Sequence, residues 1–119
     1  NQRFAMINVW RPIVGPVLQT PFAVIDAGSI SKDDFIPIDL VYTDRVGQIY
    51  MVRDNPKHRW LYLSEMQDNE VMLLKCFDSD LTVPARFTAH SAFELPPPPA
   101  DAEPLPGRQS IEVRTLVFY

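Results

Sequence analysis

Twelve prolines in 119 residues limit what this chain can fold into more than any other feature. Proline lacks an amide donor and fixes its own φ, so it breaks a helix interior and a central sheet ladder alike. Six of the twelve are spread from Pro12 to Pro84 and the other six lie between Leu95 and Gly107. Few ten-residue windows are left that could stay helical. Between the prolines, runs rich in Val, Ile, Phe and Tyr recur at short intervals, which is the pattern of strands. The chain is expected to be all-β. Strands are expected at Arg3 to Val14, Pro21 to Ile25, Phe35 to Tyr42, Gln48 to Arg53, Trp60 to Leu63, Glu70 to Phe77, Ala85 to Phe93 and Ser110 to Phe118. Eight short strands suit a sandwich, jelly roll or barrel.

Turn chemistry separates these runs at Gly15-Pro16, Asp44 to Gly47, Asp54 to Pro56 and Asp78 to Asp80, where small, polar or φ-restricted residues let the chain reverse. One helical turn is expected at Ser31 to Asp34, with Ser31 as N-cap and Asp34 three residues on, and a second at Ser64 to Asn69. The proline-dense stretch Leu95 to Gly107 is expected to run as an extended surface loop. No internal repeat or second domain is visible. The opening at Asn1 leads straight into a strand without an initiator Met, as in a chain cut inside a domain, and Tyr119 is expected to be a natural end docked in a sheet.

Composition narrows the function. A net charge of -4 with eleven scattered Lys and Arg residues offers no basic stripe, so nucleic acid is not expected as a partner. No apolar run is long enough to cross a bilayer, and no membrane partner is expected. A single cysteine, Cys76, excludes an internal disulfide and a CxxC metal site and fits a reducing compartment. A cytoplasmic protein is expected.

Only two histidines exist, His58 and His90. In a strand over Ala85 to Phe93, alternation puts Arg86, Thr88 and His90 on one polar side. An imidazole projecting into a barrel can bind Fe(II), although the plainer alternative is a hydrogen-bonded structural histidine. His58, at a turn entering a strand, is expected to be a surface or capping residue. Arg108, Ser110, Glu112 and Arg114 share one parity at the last strand. Guanidinium beside hydroxyl matches a carboxylate, while the competing arrangement is a solvated face in which Glu112 pairs with an arginine. Arg11, next to Trp10, is the candidate substrate-binding residue and could reach an acidic ligand if its face points inward, the competing arrangement being a cross-strand ion pair. No Gly-rich phosphate loop, GxSxG or spaced pair of carboxylates is present.

Six segments, taken in order, resemble the CmcJ/AsaB family of hydroxylases and desaturases, which includes gibberellin-desaturase-like proteins. They are Ile7 to Ile13 (INVWRPI), Asp39 to Tyr42 (DLVY), Asn55 to Trp60 (NPKHRW), Glu70 to Ser79 (EVMLLKCFDS), Ala89 to Phe93 (AHSAF) and Ser110 to Arg114 (SIEVR). The resemblance implies a double-stranded β-helix of jelly-roll, cupin-like type, with residues 1–119 as the C-terminal part of one oxygenase domain. It implies Fe(II) and 2-oxoglutarate as cofactors and a small organic, secondary-metabolite-like substrate that is hydroxylated or desaturated. His90 then matches the distal iron ligand, Arg108 and Ser110 match the 2-oxoglutarate clamp, and Arg114 is a second candidate for that clamp or for substrate. Family members carry a His-x-Asp pair upstream of the Asn-Val-Trp-Arg-Pro segment, and that pair is absent here. The missing strands are therefore expected from a second polypeptide or to have been removed by proteolysis, and this chain alone is expected to be inactive. The competing reading is a non-enzymatic β-sandwich that binds a small molecule or anion, or a degenerate oxygenase.

Overall fold

The β-rich runs form eight strands in the computed structural model, which describes residues 2–119; Asn1, with the expectation attached to it, lies outside them. They are β1 (Phe4–Pro12), β2 (Phe22–Ile25), β3 (Phe35–Val41), β4 (Val46–Val52), β5 (Trp60–Tyr62), β6 (Met72–Asp78), β7 (His90–Ala92) and β8 (Ser110–Phe118). All pair antiparallel. One sheet has the order β6-β1-β8 and a second β5-β2-β7, while β3 and β4 form a separate hairpin.

Strand β1 is central to the first sheet because its residues alternate in use. Trp10 and Asn8 are buried on one face, and Val9 and Arg11 occupy the other. Register carries that division across the sheet, since directly opposed residues share a face. Trp10 opposes Met72 and Glu112, and Asn8 opposes Leu74 and Arg114. The inner face thus carries Trp10 and Leu74, which pack with Val17 and Met66 and against Phe22 and Val24 of β2 to make the core. The outer face carries Leu73, Ile111 and Val113, all more than half exposed among the described residues.

The edge of this sheet where the chain begins and ends is tied down by charge. Arg3 donates two hydrogen bonds to Asp78, whose side chain is fully buried, and Lys75 lies 3.1 Å from the same carboxylate. The Arg3 bonds, followed by the Asp80 amide, hold the Asp78 carboxyl far below the usual range. The Tyr119 amide donates to the Arg3 carbonyl, so both ends of the described chain meet at one point.

Two local expectations change. The strand expected over Ala85 to Phe93 shrinks to His90–Ala92, because residues 86–89 leave one sheet for the other. Arg86 Nε donates to the Asp78 carbonyl and the Thr88 amide to the Lys75 carbonyl, both in β6. One residue later the Ala89 carbonyl accepts from Ile25 of β2. A segment bonded to two sheets in succession cannot continue as one regular strand. The second helical turn, at Ser64 to Asn69, does not form: Glu65 has φ 50°, outside the helical region. Instead the Gln67 amide donates to the Glu70 carboxylate in a tight turn. The turn at Ser31 does form, as 3-10 residues Lys32–Asp34 with a complete capping box between Ser31 and Asp34. A 3-10 turn at Ala27–Ser29, capped by Asp26, was not expected from the sequence.

The Ser64 to Asn69 turn packs backbone to backbone on Gly15. A Cβ at Gly15 would sit 2.7 Å from the Asp68 amide nitrogen and 2.8 Å from the Gln67 Cα, whereas one at Gly28 would meet nothing closer than 3.7 Å. Gly15→Ala is expected to destabilise the fold clearly, because backbone must move, while Gly28→Ala stays within about 0.5 kcal/mol of the parent. Leu74→Ala, which empties a fully buried site, should cost about 2–5 kcal/mol. Urea unfolding of the three variants checks both statements.

Candidate functional site

His90 opens β7 directly opposite Val24 of β2. It therefore shares the face of β2 that carries Phe22 and Val24 toward the core. Its ring lies 5.1 Å from Phe22, which stacks at 5.0 Å on Trp10 of the facing sheet. The guanidinium of Arg108 lies over the other end of this stack, 5.6 Å from the Trp10 ring. Four side chains from both sheets thus form one continuous column, with His90 at one end and Arg108 at the other.

The hydrogen bonds at the two ends decide what each group can offer. His90 Nδ1 is 2.8 Å from the Thr88 carbonyl oxygen. A carbonyl only accepts, so Nδ1 carries the proton, and in the neutral ring Nε2 keeps a lone pair. This is the arrangement in which a ligating histidine is commonly held. Arg108 donates one N–H to the Thr20 carbonyl at 2.6 Å, which fixes the guanidinium plane and leaves its other donors for a ligand. Ser110, two residues on, pairs with Pro12 at the start of β8 and faces the same way as Glu112.

The other candidates separate from this column. Arg114 is on the inner face of β8, but its Nε donates to Glu112 at 3.3 Å and its side chain is largely exposed. Glu112 also accepts from the buried Asn8 at 3.0 Å. The ion pair weighed as the alternative for this row is present at Arg114. The condition set for Arg11, an inward face, is not met: it is exposed and lies on the side of β1 opposite Trp10 and Asn8. Alternation is the physical reason, since burying Trp10 forces its neighbour outward.

His90 also lines an open cleft of about 890 Å³ between the first sheet and the β3–β4 hairpin. Tyr50 of the hairpin meets Phe87 edge-on at 5.1 Å, and Phe87 meets Phe77 at 6.0 Å, so an aromatic cluster joins the hairpin to β6. The cleft holds one group that sequence reasoning left at the surface. His58 is almost fully buried there, with Nε2 3.0 Å from the Asp34 carboxylate. Asp34 further accepts from the Ser31 amide at 2.9 Å and from Asn55 at 3.2 Å. The only local signal was the capping box that turns Asp34 back on Ser31; nothing in the sequence joined it to a histidine 24 residues away.

Among the described residues no three His, Cys, Asp or Glu side chains come together as a metal site. His90 fits an iron ligand by its tautomer and exposure, but by itself it would be one ligand of several.

A family profile described as an oxidoreductase/YMDC permease-like domain matches residues 1–118. The chain belongs to this family. Its relatives bear out the resemblance to CmcJ/AsaB-type hydroxylases and desaturases. It is 39% identical over 120 residues to the Fe(II)/2-oxoglutarate-dependent dioxygenase nvfI of Aspergillus novofumigatus, covering 99% of this chain and 42% of that protein. It is 35% identical over 132 residues to the hydroxylase/desaturase asaB of Aspergillus flavus, covering 98% of this chain and 56% of the relative. The solved structure of the iron and alpha-ketoglutarate-dependent endoperoxidase NvfI superimposes with a TM-score of 0.86, at 39% identity, over 98% of this chain and 43% of that one. The jelly-roll expectation is borne out, and the chain spans only about two-fifths of the NvfI length.

In this family member the Asp34 cluster has a measurable acid signature. The His58 hydrogen bond, then the Ser31 amide and Asn55, lower the Asp34 pKa from 3.8 to about 2. The unfolded chain therefore binds a proton at higher pH than the folded one. The cluster's contribution is full above the unfolded value and is lost as pH falls through about 2. Asp34→Asn is expected to flatten the fall in stability across that window while lowering stability at neutral pH. Urea midpoints measured from pH 5 downwards check the sign.

Proposed function

We propose that residues 1–119 are the C-terminal part of the catalytic domain of a non-haem Fe(II)/2-oxoglutarate oxygenase that hydroxylates or desaturates a small organic molecule. The observation that carries this reading is the Thr88 carbonyl on His90 Nδ1, which leaves Nε2 as the free ring nitrogen of a residue that lines the cleft. The relatives, named as iron- and 2-oxoglutarate-dependent enzymes and as hydroxylase/desaturases, support it.

In this reading His90 is the distal iron ligand and Arg108, with Ser110, holds the distal carboxylate of 2-oxoglutarate. Bound iron and 2-oxoglutarate would supply the oxidising power for attack on an unactivated C–H bond. The chain's own residues do the holding. Thr88 orients the imidazole, Thr20 and Trp10 orient the guanidinium, and the aromatic wall of the cleft offers an apolar surface to the substrate. Arg114, paired with Glu112, is the weaker clamp candidate, and Arg11 lies too far round β1 to serve a substrate in the cleft.

The bare outer face of the first sheet, with Leu73, Ile111 and Val113 exposed, suits a surface covered by the rest of the oxygenase. Those remaining strands, in the same or a second polypeptide, would bring the other iron ligands. The free thiol of Cys76 suits a reducing, cytoplasmic setting.

Anaerobic titration of the complete oxygenase with Fe(II) and 2-oxoglutarate is expected to give the visible metal-to-ligand charge-transfer band. His90→Ala should abolish it, and Arg108→Ala should weaken 2-oxoglutarate binding about 10-fold to 100-fold, the worth of a charge-assisted hydrogen bond. Both variants behaving as the parent would reject the assignment and favour a non-catalytic binding module.

A further inference from the structure

His58 has no part in holding iron or 2-oxoglutarate in the reading above, yet it is the second imidazole of the same cleft. Its side chain is 3% exposed, and a buried histidine is held in place for a reason that its bonds reveal. Asp34 gathers donors from Ser31, Asn55 and His58. A carboxylate so surrounded by donors stays ionised and can only accept, so the proton of the shared bond sits on His58 Nε2. The ring is thereby fixed in one tautomer and one orientation, as an aspartate fixes an imidazole wherever that pair is used for positioning.

In the neutral ring the fixed tautomer leaves Nδ1 as an acceptor. Nδ1 has no hydrogen-bond partner among the described residues, and since no buried side-chain nitrogen or oxygen among them lacks a partner, Nδ1 is the part of this nearly buried ring that is not sealed from solvent. The wall that His58 shares is otherwise largely apolar, with Met6, Phe35, Tyr50, Phe77 and Phe87. A cleft of about 890 Å³ with this lining suits a drug-sized apolar molecule, and a few placed polar groups then set its orientation.

We propose that His58 is a substrate-binding residue whose Nδ1 accepts a hydrogen bond from a hydroxyl on an otherwise apolar, ring-containing substrate lying in the cleft beside His90. The inference deepens the oxygenase reading by naming a substrate class, and it rests on that reading for the identity of the bound molecule as substrate. The binding contact does not need iron. Asp34 acts through His58, by holding its tautomer, and does not touch the ligand.

The test uses the complete oxygenase without metal, labelled with 15N-histidine, so that its outcome is separate from that of the iron and 2-oxoglutarate titration. The probes are 2-naphthol, a fused aromatic with one hydroxyl, and 2-methylnaphthalene, which has the same rings and no donor. The free protein is expected to show His58 protonated at Nε2. Adding 2-naphthol should shift the Nδ1 resonance upfield, as for a nitrogen accepting a hydrogen bond, and 2-methylnaphthalene should leave it in place. 2-Naphthol should bind about 3-fold to 10-fold more tightly than 2-methylnaphthalene, the worth of one neutral hydrogen bond. In His58→Phe that preference should vanish, while the charge-transfer band with Fe(II) and 2-oxoglutarate persists and reports an intact fold. If His58→Phe fails to fold, the parent's Nδ1 shift decides alone. An unmoved Nδ1 at saturating 2-naphthol, equal affinity of the parent for both probes, or failure of both to bind would overturn the proposal.

Discussion

The site depends on one crossing. Between Thr88 and Ala89 the chain passes from the first sheet to the second, and each side of the crossing is hydrogen-bonded to a different sheet. The Thr88 amide is tied to Lys75 and its carbonyl to His90, while the Ala89 carbonyl is tied to Ile25. Two backbone bonds therefore set the separation of the sheets, and a third sets the imidazole between them. Because each buried backbone group must find a partner, a shift of this segment by one residue would break both bonds to the sheets and turn His90 to the opposite face. The Trp10 and Phe22 stack fills the space so defined and carries the order to Arg108.

The cleft follows from the same geometry. The β3–β4 hairpin belongs to neither three-stranded sheet, and it is held at its root by Asp34 and along its length by Tyr50 and Phe35 against Phe87. Phe87 lies just before the crossing, so the residues that join the two sheets also seat the hairpin. The proposed iron ligand and substrate wall are thus positioned by a short stretch of irregular backbone supported on regular sheets, which is where binding groups are commonly found.

What the sequence made legible was whatever rests on local rules. Strand β8 came out with its bounds intact because Ser110 to Phe118 follows a glycine and a proline, alternates from Ser110 to Arg114 and ends in an apolar run. The Ser31 capping box was readable because both its bonds close within three residues. Parity placed Arg11 and Trp10 on opposite faces of β1 but could not say which face was inward, and the buried indole decided that against Arg11. The regular strand read over Ala85 to Phe93 was wrong because alternation cannot register that a chain changes sheets. The Asp34–His58 pair was invisible because its partners meet only through the folded hairpin. His90 and Arg108 emerged as candidates by residue type and motif, and the column between them required coordinates.

An anaerobic crystal structure of the complete oxygenase with Fe(II) and 2-oxoglutarate tests the central claim most directly. Iron coordinated through Nε2 of His90, with Nδ1 still on the Thr88 carbonyl and Arg108 on the distal carboxylate of the keto acid, is the predicted result. Iron held without His90, or a keto acid whose carboxylates avoid Arg108, would contradict it.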